Sequence, residues 1–352
     1  MSDILTKLAY QTFHQSKSYF SFAHKSLSEQ IRNLFYPSLL QKPPLLPQEL
    51  IPKVQARFNQ LLETDWRDAE IGIYPTSLLF DNPWEDFLRY YPMVLLDLPM
   101  IWERVKQNKN QEFGADIERD SYPSYYVQNF HHQTNGYLSD LSANLYDLQV
   151  ELLFGGVADA MRRRILAPLK QKLGFFSDLP QKQIKILDVA CGTGGTLKLI
   201  RASLPQVSLY GLDLSPHYLR KANELLSQIP GELPQLLQGN AEELPFVNDY
   251  FHAVTSVFLF HELPASVRQT VIDECFRVTK PGGVFIICDS MQLIDSPELE
   301  PVMNSFIENF HEPYYRHYIT DNLVERLEKA GFDNIEEQVH FFSKYLIARK
   351  PV

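Results

Sequence analysis

The chain has 352 residues, 45% of them hydrophobic, enough to build a core and to exclude wholesale disorder. Asp and Glu outnumber Lys and Arg by 43 to 33 and no basic run stands out, which argues against a protein that grips nucleic acid through phosphates. Its cysteines, Cys191, Cys275 and Cys288, show no CxxC spacing, so neither a disulfide framework nor a zinc site is expected.

The N-terminal stretch lacks a secretory apolar core. The greasiest window, Tyr90–Trp102, contains Asp97, Pro92 and Pro99 and falls short of a membrane span of ~20 residues. The expectation is a soluble, cytoplasmic protein. Apolar residues at three- and four-residue spacing predict helices over Ser26–Leu40 and Leu50–Trp66, with a Pro-rich break at Gln41–Pro52. A helix pair is expected over Pro83–Val105, and Lys106–Asp120 reads as a polar loop. Next comes an unusual segment, Tyr122–Asp147, dense in tyrosine, histidine and amides and without a long apolar face.

The second half alternates short β-branched runs with helical stretches. Strands are predicted within Ile184–Ala190, Val207–Ser215, Leu233–Ala241, Phe251–Phe260 and Gly282–Ser290. A late helix is predicted over Asp321–Phe332, and Asn334–Phe342 with Ser343–Pro351 reads as an antiparallel hairpin. This order predicts an α/β fold with a mostly parallel sheet covered on both faces. Pro281-Gly282-Gly283 is expected to form a tight turn ahead of the fifth strand.

The first strand runs into "ILDVACGTGGT", with Asp188 near its end and Gly192, Gly194 and Gly195 in the turn before a helix. Glycines there let a backbone approach a ligand and adopt positive φ. A dinucleotide fingerprint would need Gly or Ala at position 197, which is Leu197. No Gly-Lys-Ser/Thr of a phosphate-binding loop is present. What remains is acid-x-x-x-Gly-x-Gly, followed one strand later by Asp213, whose carboxylate can accept hydrogen bonds from ribose hydroxyls.

Over roughly Ile184–Val352, these residues and the later "GNAEELPF" and "RVTKPGGVFII" resemble class I S-adenosylmethionine (SAM) dependent methyltransferases of the ubiquinone/menaquinone type, the type 11 domain. The resemblance implies a Rossmann-like seven-stranded sheet and SAM as cofactor. It implies that Asp188 and the loop of Ala190, Gly192, Thr193 and Gly194 hold the methionine part. Asp213 would bind the ribose, Leu214 would pack beside the adenine, and Asn240 and Ala241 would meet the adenine edge. Family members often carry Asp at position 240; Asn240 keeps an accepting oxygen with one charge fewer. Glu242 and Phe258 join the implied cofactor contacts. "NLYDLQVELLF" resembles the Tyr-Asp found ahead of the first strand in relatives, which makes Tyr146 a candidate to close over SAM.

Methyl transfer from a sulfonium asks the protein mainly for alignment and exclusion of water. The fourth strand ends in "SVFLFHELP", which puts His261 near the ligand edge of the sheet as a candidate general base or substrate contact, a neutral imidazole suiting that role. The competing reading has His261 packing under the cofactor. No set of His, Cys and carboxylates has metal-ligand spacing, so no metal is expected, and no G-x-S-x-G turn supports a hydrolase.

Two additions to the core are expected to choose the substrate. One is the aromatic segment, with Tyr125, Tyr126, His131, His132 and Tyr137 as candidate contacts. The other is the long connection Met291–Thr320, with His311, Tyr314 and Tyr315. The competing reading is aromatic packing between domains. The expected organisation is a helical N-terminal domain at 1–120, a helical lid or linker at 121–180 and a methyltransferase domain at 181–352. The expected activity is methyl transfer to O or C of a small lipophilic or aromatic acceptor, with no nucleic-acid partner and the oligomeric state open. The alternatives are a SAM-binding protein whose N-terminal domain engages a partner, and a protein side-chain methyltransferase.

Overall fold

A computed structural model of the chain describes residues 2–39, 46–82 and 84–352. Residues 41–45 of the Pro-rich break and Pro83 at the expected helix start lie outside the described residues.

The N-terminal region is helical, but its elements are longer than the periodicity predicts. Helix α1 spans Ser2–Phe35 without a break. Its inner stripe is Tyr10, His14, Lys17 and Ser21, all buried at helical spacing. Only the first is a strong hydrophobe, so the stripe is weak in a hydrophobicity pattern. Helix α2 (Ile51–Glu70) buries Val54, Phe58, Leu61, Leu62, Trp66 and Ala69. The expected pair over Pro83–Val105 is one helix, α3 (Trp84–Gln107), with Pro92 and Pro99 inside it. Each proline removes one backbone donor without ending the helix.

The aromatic segment leads to α4 (Asp140–Leu153), capped by Ser139, whose Oγ accepts from the Ser142 N–H. Short helices α5 (Ala158–Arg163) and α6 (Leu166–Leu173) follow. Then the alternation begins: β1 (Lys185–Val189), α7 (Gly195–Ser203), β2 (Ser208–Asp213), α8 (Pro216–Leu226), β3 (Gln235–Gln238), β4 (Phe251–Val257), α9 (Ala265–Val278) and β5 (Thr279–Ser290). Helices α10 (Glu300–Asn309), α11 (Tyr315–Tyr318) and α12 (Leu323–Ala330) precede the closing hairpin of β6 (Asp333–His340) and β7 (Ser343–Arg349).

The seven strands lie in the order β3-β2-β1-β4-β5-β7-β6. The first five are parallel, and β7 runs antiparallel to both β5 and β6. The expected turn at Pro281–Gly283 falls inside β5, where the β4–β5 register jumps from Phe251↔Thr279 to Ala253↔Val284. Gly282 has φ +75° there, and a Cβ on it would run into the Phe175 ring.

The strand order reverses direction between β1 and β4, so their carboxyl ends open a crevice, the usual ligand position in such sheets. Buried residues of α1 and α2 belong to the same apolar cluster as β1, β4, β5 and β7. The N-terminal helices therefore share the sheet's core. No described helix is long and apolar enough to cross a membrane.

Candidate active site

The crevice is a cleft of about 110 Å³ whose floor is the loop after β1. Ala190, Gly192 and Gly194 all have left-handed φ (57°, 53° and 83°), which curls the loop away from the sheet. Gly194 also packs tightly, since a Cβ there would lie 3.1 Å from Ala222 and Leu226. At the end of β2, Asp213 accepts the Gly192 N–H at 2.8 Å on one oxygen and the Ser215 N–H at 2.8 Å on the other. Burial pushes its carboxyl up to about 6, against the pull of those N–H groups.

The cleft brings together Ala190, Gly192, Asp213, Leu214, Asn240, Ala241, Phe258 and Tyr146. Phe258 has φ 60° and stacks on Phe154, with ring centroids 5.9 Å apart. Asn240 folds onto Glu242, donating to its carboxylate and accepting its N–H. Four residues expected to touch the cofactor do not line the cleft: Gly194, which packs against Ala222 and Leu226 of α8, and three others. Asp188 is turned inward, where Thr255 on the adjacent strand donates to it at 2.6 Å and burial pushes it up to about 7. Thr193 lines a separate polar recess with Asp147 and Arg162. Glu242 stands behind the wall and accepts the Tyr125 hydroxyl at 2.6 Å.

The aromatic segment forms the roof. Tyr125, Tyr126 and Tyr137 line the cleft, and Tyr137 packs edge-on against Tyr146 and Tyr218. The Tyr137 hydroxyl donates to Glu262 at 2.5 Å. The segment meets the Met291–Thr320 connection directly: the His131 N–H donates to the His311 carbonyl, and the His131 ring lies edge-on to Phe306 and Phe310.

Beyond Phe258, Tyr146 and Glu262 a second space opens, an apolar cavity of about 400 Å³. Its walls come from α1, α2, α4, α10 and the β6–β7 turn, including Phe22, Phe58, Met303, Phe306 and Phe341. Of the expected acceptor contacts, His131 and Tyr315 reach it, together with His261. His132, His311 and Tyr314 reach neither the cleft nor this cavity. His131 and His132 both have left-handed φ, a turn that gives the two rings different neighbours. His132 lies beside His311 and lines a neighbouring space near Trp102. His311 meets Gln128 at 3.1 Å, and Tyr314 packs on the tyrosine cluster.

His261 sits in a short turn (Phe260–Glu262) after β4. Its Nδ1 is 2.6 Å from Asp289 Oδ1, at the end of β5. Burial opposes a charge on the ring, but the Asp289, Glu262 and Glu312 carboxylates outweigh it and lift His261 to about 9. This environment favours the protonated ring over the expected neutral imidazole and, with Nδ1 on Asp289, leaves Nε2 to present an N–H. Burial pushes Glu262 up to about 7. Asp289 and Glu312 are not among the candidates the sequence offers, and Glu262 is only placed beside His261 at the ligand edge of the sheet. Asp289 ends a strand as Asp213 does, the one signal that could have flagged it.

The "Methyltransferase domain" family matches residues 186–283, from β1 to the register shift in β5. The demethylmenaquinone methyltransferase of Geobacillus stearothermophilus is 31% identical over 180 residues, 46% of this chain and 76% of that protein. That of Thermotoga maritima is 32% identical over 224 residues, 58% of this chain and 90% of that protein. The chain belongs to the class I SAM-dependent methyltransferases. Among solved structures, PigF with SAH is 18% identical, covering 71% of this chain and 70% of that one at a TM-score of 0.45.

As a SAM-dependent methyltransferase, the chain has a cleft whose chemistry fits the cofactor. A buried acid with free acceptor capacity ends β2, a glycine loop faces it, and the apolar Leu214, Ala241 and Leu263 line the same cleft. The matched relatives account for about half of the chain; α1 to α3 and much of the apolar cavity's lining lie outside the residues 186–283 that the family matches.

Proposed function

We propose that this methyltransferase acts on a small, largely apolar acceptor bearing an oxygen, bound in the cavity formed by the N-terminal helices and α10. The observation that carries the proposal is the continuity of spaces: Tyr146, Phe258 and Glu262 line both the cleft and the cavity. An acceptor in the cavity would face the cleft across these three side chains.

When bound, SAM supplies an electrophilic methyl on a sulfonium. Asp213, the loop of Gly192, Asn240 and Ala241 would hold it. The chain's own contribution is alignment and dryness. Tyr126, Tyr137 and Tyr146 cover the cleft and keep water from the reacting atoms. Phe306, Met303 and Phe58 press an aromatic or polyene body into one orientation. Asp289 holds Nδ1 of His261, which fixes the ring and leaves Nε2–H for the acceptor's oxygen. A hydrogen bond there stabilises the oxygen as an anion, the form in which a phenol or quinol oxygen, or the ring carbon beside it, is most nucleophilic. The relatives named demethylmenaquinone methyltransferase support a quinol-like acceptor.

The test is methyl transfer from labelled SAM into a cell extract. Label should enter the organic-soluble small-molecule fraction and not protein. Label confined to protein would overturn the reading.

A further inference from the structure

We propose that His131, Glu262 and Glu312 form a binding site for one divalent cation of the first transition row, at the seam between the cleft and the acceptor cavity. The site is carried by its donors. One ligand atom from each residue falls in a group whose members all lie within 4.8 Å of one another. His131 Nε2 is 3.0 Å from Glu312 Oε1 and 3.8 Å from Glu262 Oε1.

Glu312 is the independent observation. Its side chain is wholly buried, and neither carboxylate oxygen takes part in a hydrogen bond. A buried carboxyl normally has hydrogen-bond donors, a cationic partner or a metal. Among the described residues no lysine or arginine reaches Glu262 or Glu312. The nearby cationic ring, His261, already has Asp289 at 2.6 Å as its counter-charge. The His131 Nδ1 atom is also buried without a hydrogen bond. Two carboxylates and an imidazole thus converge on one point with nothing between them.

The donor set selects the ion class. One imidazole nitrogen with two carboxylate oxygens suits Mn²⁺, Fe²⁺ or Zn²⁺ better than soft Cu⁺, which asks for sulfur. Metal–ligand distances of about 2.0–2.2 Å would draw the three side chains slightly together. The Tyr137 hydroxyl on Glu262 Oε1 gives that ligand an orienting partner of the kind metal sites use. Remaining coordination positions would open to the cavity, since His131 and Glu262 both line it. The site holds whether or not the acceptor reading above does, because it depends on the three side chains alone.

The experiment titrates purified, chelator-treated protein with Mn²⁺ alone, followed by electron paramagnetic resonance of the free ion, with Zn²⁺ as competitor. The expected result is one Mn²⁺ per chain, displaced by Zn²⁺. Glu312→Gln and, separately, His131→Gln should raise the Kd at least tenfold while SAM affinity stays within twofold, which shows the fold intact. Absence of stoichiometric binding by either ion overturns the site, as does unchanged binding in a variant that keeps its SAM affinity. Should Glu312→Gln fail to fold, His131→Gln decides on the same criterion.

Discussion

Arg163 holds Asp65 in a two-pronged grip, Nε to Oδ1 at 2.9 Å and Nη2 to Oδ2 at 2.6 Å, and so ties α5 to α2. Asp65 is fully buried, and Arg164, Tyr10 and Tyr74 donate to it as well. Burial alone would raise its pKa, but the two guanidinium groups outweigh that and hold it well below the usual carboxylate range. Asp65→Asn would strand the buried Arg163, while Arg164 keeps Asp68 as a partner, and a loss of ~3–5 kcal/mol is expected in urea unfolding. The pH sign follows from the lowered pKa. The stabilisation is complete above the unfolded carboxylate value and is lost as pH falls through the folded one. Unfolding in strong acid should therefore be steeper in the wild type than in Asp65→Asn.

The same pair marks where sequence reading runs out. Arg162, Arg163 and Arg164 are adjacent in the chain, yet Arg162 pairs with Asp159 while the other two reach Asp65, nearly one hundred residues away. Nothing in local spacing announces such a partner. The sheet was legible because a buried parallel strand must be a continuous apolar run and a ligand loop must have glycines at set places. Asp213 and Gly192 follow from that logic. Helix α1 was half missed because His14, Lys17 and Ser21 take core positions. Asp289 and Glu312 became meaningful only once β5 and the loop before α11 met His261 and His131 in space.

Asp213 carries a prediction with a pH signature. Burial disfavours the charge on its carboxyl and pushes it up to about 6. A neutral acid accepts poorly from ribose hydroxyls. SAM affinity should be flat above pH 7 and fall as pH drops below about 6, approaching a tenfold loss per unit. Asp213→Asn should weaken binding at pH 7.5 at least tenfold, since a hydrogen bond to a charged group contributes ~1.5–3 kcal/mol. The variant should also lose the acid-side slope. Calorimetry from pH 5 to 8 checks both, and a slope that persists in Asp213→Asn would assign it to another group, such as Asp188.

The acceptor cavity can be filled without touching the cleft. Met303 lines the cavity and is almost fully buried, whereas Asp213, Asn240 and Gly192 belong to the cleft alone. Met303→Trp adds an indole to that empty volume. Insertion into a packed core would cost about 1–3 kcal/mol, but into a cavity of about 400 Å³ it should leave stability within that range or better. Acceptor kcat/KM should fall at least tenfold, with SAM affinity within twofold of wild type. A variant that methylates normally would place the acceptor elsewhere.

His261 and Asp289 should separate by what each holds. His261→Ala removes the ring and its Nε2–H while leaving Asp289 bonded to the Phe260 and Ser290 N–H groups. If that N–H stabilises an acceptor oxyanion, turnover should drop roughly 10²-fold. SAM affinity should not move, because His261 faces the cavity and is absent from the cleft. Asp289→Asn keeps the ring but swaps one accepting oxygen for an amide that donates. With the amide nitrogen on the Oδ1 side the Ser290 N–H faces a donor, and on the Oδ2 side the Phe260 N–H does, so this variant should lose activity and also unfold earlier, by ~1–3 kcal/mol for the unsatisfied group. The comparison is diagnostic in one direction. Loss of turnover in both variants, with loss of stability only in Asp289→Asn, fits a ring that works on the acceptor and an acid that holds the ring. Full turnover in His261→Ala removes the histidine from the chemistry and leaves Asp289 as a brace for the loop after β4.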